Sequence, residues 1–87
     1  MGESEFELSR HVQQRMAQRG IRRWQIKRTL EDPERVELDR DASELRHALK
    51  RFRRRRGAMI LRVVYNYTVK PVRVVTVFFE RLTRRKR

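Results

Sequence analysis

Residues 58–67, AMILRVVYNY, and residues 72–80, VRVVTVFFE, decide the fold. Both are dominated by β-branched and aromatic side chains, which suit a pleated, half-buried surface. Pro71 marks a connection short enough for a hairpin. The two runs are apolar on both faces, so they read as central strands of a sheet carrying helices on one side. By strict alternation Arg62 shares a face with Ile60 and Val64, and Tyr65 points to the other.

Working outward, residues 4–8 (SEFEL) alternate polar and apolar and predict a short first strand. Ser9 is placed to cap a helix that runs to Arg19, with Leu8, Val12 and Met16 spaced by four along one stripe. Gly20 ends that helix, because glycine takes the left-handed conformation of a C-terminal cap, and Ile21 follows as the contact residue. A second helix is expected from Arg23 to Glu31, stopping before Pro33, with Ile26 and Leu30 on its inner face. A short strand follows at Arg35–Leu38. Residues 44–54 are ambiguous: Leu45, Ala48, Leu49 and Phe52 fall at helical spacing and Ser43 could cap them, so local pattern alone favours a helix. We find no repeat and no linker, so residues 1–87 read as one domain ending in a basic tail, 81–87. Only Leu82 in that tail suits a core; the rest is either frayed or ordered by bound phosphate.

Lys plus Arg total 24 against 11 acids, a net charge of +13 and a pI near 11.6. Lysine occurs only at 27, 50, 70 and 86; the remainder is arginine, whose planar fork matches phosphate oxygens in pairs. The acids gather between Glu31 and Glu44, and beyond them only Glu80 remains, which predicts one positive face. A polyanion is therefore the expected partner, RNA first; a merely supercharged surface would cost self-repulsion. A membrane ranks lower: no run approaches the ~18 apolar residues of a span, and the basic residues do not back an apolar helix face. The chain has no cysteine, which fits a reducing cytosol and leaves no thiolate for a metal.

Three pieces, in this order and spacing, resemble a known family. They are the pattern His11-x3-Arg15-x3-Arg19-Gly20-Ile21, a second helix ending at Pro33, and the strands Leu61–Tyr65 and Val74–Val77. Together, over roughly residues 6 to 80, they resemble a widespread bacterial family of small domains grouped with the RelE/ParE-like toxins. The resemblance implies an α+β fold, with two N-terminal helices packed on a twisted antiparallel sheet of about four strands. It also implies that residues 45–54 are extended, against the local pattern. In function it implies a cytoplasmic toxin-antitoxin pair: metal-independent cleavage of free or ribosome-bound RNA, with no cofactor, and a small acidic antitoxin as partner.

Cleavage of that kind needs a base near the 2′-hydroxyl, an acid near the leaving oxygen and positive charge on the phosphorane. His11 is the first candidate for proton transfer, on a helical ridge with Arg15 and Arg19 that could grip phosphate. The same ridge could be structural, its arginines pairing with Glu31 or Asp32. Arg62, set in an apolar strand, needs a paired acid or an anionic ligand, and we read the ligand. Arg62 would then converge with His11, Arg15 and Arg19. Thr76 could position substrate, though threonine is at home in a strand. Tyr65 could pass a proton or stack a base, though an aromatic there more often joins the core. His47 reads as a surface histidine. Trp24 stands roughly opposite Ile26 and is open to base stacking, partner contact or packing.

Arg53, Arg54, Arg55 and Arg56, with Arg84, Arg85, Lys86 and Arg87, are electrostatic grips that give salt-sensitive, sequence-independent affinity. Asp39-x-Asp41 could hold a cation, but two acids in a turn-rich segment more often serve solubility, and no metal is expected. The alternative to the ribonuclease is a non-catalytic basic RNA-binding module, since the grips outnumber the candidate catalytic residues.

Overall fold

The computed structural model describes residues 6–55 and 57–81. The elements run β1 (Phe6–Leu8), α1 (Arg10–Arg19), α2 (Arg23–Glu31), β2 (Arg35–Leu38), β3 (Leu45–Arg54), β4 (Gly57–Asn66) and β5 (Val72–Arg81). One mixed sheet holds all five strands in the order β1-β5-β4-β3-β2. The expectation of about four antiparallel strands is corrected at one edge: β1 is a fifth strand and runs parallel to β5, with Phe6 opposite Val72. A parallel neighbour needs a crossover connection, and the two helices lie within the long excursion from β1 to β5.

Local chemistry sets the helix ends. Ser9 Oγ accepts from the Val12 N–H at 3.1 Å, satisfying one of the free donors of the first turn. Gly20 takes φ 69°, and the Ile21 N–H reaches the Met16 carbonyl at 2.9 Å. At the start of α2 the Gln25 Oε1 accepts from the Arg22 N–H at 2.9 Å. Residues 45–54 are a strand, as the resemblance implied, and the local helical spacing is overruled. Ala48 and Phe52 face the helices, whereas Leu45 and Leu49 pair on the far face, so what looked like one helical stripe is two strand faces.

The core lies between helices and sheet. Val12 of α1, Ile26 of α2, Leu61 and Val63 of β4, and Val74 and Val77 of β5 are fully buried, each side chain worth about 1.5–3 kcal/mol. Strict alternation would set Val74 and Val77 on opposite faces. A bulge resolves this: Tyr65 pairs with Val74 but Val64 with Thr76, so Val75 is the extra residue and both valines face the helices. Thr29 is buried among them, its hydroxyl donating to the Gln25 carbonyl at 2.7 Å. Among the described residues no helix is long and apolar enough to cross a membrane.

Candidate functional site

The register that builds this core also sorts the charged side chains onto two faces. Leu61, Val63 and Tyr65 point towards the helices, so Arg62 emerges on the far side of the sheet. There it does not stand as a free cation. Its Nε donates to Glu80 at 2.6 Å, and its Nη1 donates to Glu37 at 3.2 Å and to His47 Nδ1 at 2.8 Å. Burial opposes the charge on this guanidinium, but the bonds and charges of Glu80 and Glu37 outweigh it and raise its pKa. The paired-acid reading of Arg62 therefore replaces the ligand reading. With Arg35 beside Glu37, and Asp39 close by, the cluster holds two arginines against three carboxylates, a poor seat for an anion.

His47 is the residue that sequence reasoning placed wrongly on the surface. It is largely buried on β3, opposite Glu37, and both ring nitrogens are engaged. A guanidinium can only donate, so Nδ1 accepts from Arg62 and the single ring proton sits on Nε2, facing Asp39 Oδ1 at 2.7 Å. That bond and the N–H groups of Ala42 and Asp41 on Oδ2 hold the Asp39 carboxyl below its usual value against the opposing effect of burial. Asp39 is thus used in a turn and in orienting His47. Thr76 lies on this same far face, opposite Val64 and two positions from Phe78, the partner of Arg62.

His11, Arg15 and Arg19 lie on α1, which packs against β5 on the helix side. The sheet separates them from Arg62 and Thr76, so the expected convergence does not form. His11 is exposed, and with Gln14, Arg15 and Gln18 it lines a shallow polar depression. The acids proposed to pair with the ridge are taken by lysines: Glu31 by Lys27 at 2.7 Å and Asp32 by Lys50 at 3.4 Å. Tyr65 borders the core and lines an apolar pocket with Phe6, Leu30 and Val72.

The remaining positive charge is concentrated elsewhere. Among the described residues Arg10, Arg15, Arg19 and Arg28 on the helices, and Arg51, Arg53, Arg54 and Arg55 on the β3–β4 hairpin, have no carboxylate within 4 Å. Arg51, Arg53, Arg54 and Arg55 surround a broad depression at the hairpin tip. Arg54 also lies over the Phe79 ring at 4.6 Å. Trp24 is 57% exposed and meets Phe52 edge-on, with ring centres 5.7 Å apart. Arg56 and the tail residues Arg84, Arg85, Lys86 and Arg87 lie outside the described residues.

Comparisons with curated proteins and with solved structures return no match. A family model does: the one described as Domain of unknown function (DUF4258) matches residues 8–79. That span takes in both helices, the Asp39–His47–Arg62 chain and most of β5, and on this match the chain belongs to the DUF4258 family.

Proposed function

We propose that this domain binds RNA through the helix face and the β3–β4 hairpin. One observation carries the reading: Glu7, Glu31, Asp32, Glu37, Asp39 and Glu80 are drawn into ion pairs, while Arg10, Arg15, Arg19 and Arg28 of the helices and Arg51, Arg53, Arg54 and Arg55 of the hairpin stand without acidic partners among the described residues. Exposed arginines of this kind release counterions when they meet phosphates, which makes affinity steep in salt. Binding of a labelled RNA measured from about 50 to 200 mM salt should lose roughly 10³-fold or more if six or more phosphates are engaged. An affinity flat in salt would remove the proposal.

A second reading, a metal-independent toxin-type endoribonuclease, is favoured by the exposure of His11 beside Arg15. A free imidazole next to a guanidinium has the makings of proton transfer at a held phosphate. The resemblance to RelE/ParE-like toxins supports it, and with it a small acidic antitoxin that would cover the same arginines. On this reading RNA, free or ribosome-bound, is cut in EDTA and His11→Ala abolishes cutting with the fold intact. Binding without cleavage of either substrate leaves the non-catalytic module.

A further inference from the structure

Resting on the RNA-binding reading, we infer that Trp24 and the adjoining Phe52 and Arg54 form a base-stacking platform that selects single-stranded RNA over duplex. Charge alone does not distinguish the two, because both present phosphates. An aromatic face does, because only an unpaired, splayed base offers its own face for stacking.

The placement supports this. Trp24 sits in the first turn of α2, and its contact with Phe52 of β3 is edge-on, at 82° between ring planes. That contact fixes the indole without covering it, and 57% of the residue remains exposed. Phe52 and Arg54 are alternate residues on one face of β3, about 7 Å apart along the strand, a spacing that suits successive bases of an extended strand. Arg54 lies over the Phe79 ring at 4.6 Å, which holds its guanidinium beside Phe52, where it can meet a base. Cations adjoin the platform: Arg28 follows one turn after Trp24 on α2, and Arg55 follows Arg54 at the hairpin tip. A large apolar ring kept in the open among arginines adds little to the core. Its surroundings complement a phosphate backbone, whereas a hydrophobic protein partner would have to bury those charges unpaired.

Trp24 is the sole tryptophan, so its emission reports on this spot directly. The test uses the full chain with a 2′-O-methyl single strand that cannot be cleaved through its 2′-hydroxyl, the matching duplex, and heparin as a polyanion without bases. The single strand should quench Trp24 emission and heparin should not. In anisotropy titrations Trp24→Ala should weaken single-strand binding about 5- to 100-fold, with Trp24→Phe retaining most of it and duplex and heparin little affected. Single-strand binding that leaves the emission unchanged, or Trp24→Ala binding the single strand like the parent, overturns the platform while leaving the RNA-binding reading in place. An equal loss by Trp24→Ala for all three ligands does the same. If the parent chain binds none of the three, the RNA-binding reading fails and the platform with it.

Discussion

Replacing Arg62 by alanine is the perturbation that separates a structural cation from a phosphate-binding one. The side chain is only 17% exposed, and it makes three bonds of 2.6, 3.2 and 2.8 Å to Glu80, Glu37 and His47. Breaking a buried ion pair by removing one partner costs about 3–5 kcal/mol, because the other charge is stranded. Here the stranded carboxylates are 36% and 33% exposed and can be rehydrated in part, which brings the expected loss to ~2 kcal/mol. At ~4–8 °C per kcal/mol for a domain this small, Tm should fall by about 8–16 °C, read by circular dichroism. Neutralising the stranded acids as well, in Arg62→Met with Glu37→Gln and Glu80→Gln, should recover much of the loss. RNA affinity measured well below the Tm should change little. An Arg62→Ala protein that melts with the parent but binds RNA many-fold more weakly would refute the reasoning and return Arg62 to the role of ligand.

Three further outcomes are expected. Gly20→Ala should cost about 1–2 kcal/mol, seen as a lower Tm, purely because φ is 69°; an added Cβ would meet nothing within 4 Å, so Gly20→Asn should cost less. The Asp39 carboxyl is held below 3.8 in the fold, so its contribution to stability is present above that pH and is lost as pH falls through the lower folded value; denaturant unfolding from pH 6 to 2 should show the advantage of the parent over Asp39→Asn shrinking below about pH 4. Ring-nitrogen NMR at neutral pH should find the His47 proton on Nε2, and a proton on Nδ1 would mean that the bond from Arg62 is not made.

Much of this fold was legible in the sequence because its signals are local. Ser9, Gly20 and Pro33 punctuate the helices, and the β-branched runs around Arg62 and Thr76 declare the central strands. Strand β3 was not legible from its own residues, because each of its faces carries apolar residues among charged ones and their offset happens to match a helical turn. The polar cluster was harder still. Glu37, Asp39, His47, Arg62 and Glu80 come from four strands and the turn after β2, and only register assembles them. One signal was available: folding residues 58–80 as a hairpin puts Glu80, the lone acid after Glu44, on the face of Arg62. The ridge of His11, Arg15 and Arg19 was correctly a ridge, but periodicity within a helix cannot say on which side of a sheet that helix packs.

The short strand β2 has a consequence for how this protein keeps company with itself. It pairs with β3 only from Arg46 to Leu49, and among the described residues no strand covers the rest of β3 on that side. The first free donor on that margin, the Arg51 N–H, is plugged by Glu34 Oε1 at 3.2 Å, and beyond it the margin carries Arg53 and Arg54. Two copies that tried to zip together there would bring like charges face to face, so repulsion acts as the gatekeeper against sheet extension. A polyanion that neutralises those arginines also disarms the gatekeeper. Solubility in an RNA titration should therefore pass through a minimum near charge equivalence and recover when either component is in excess.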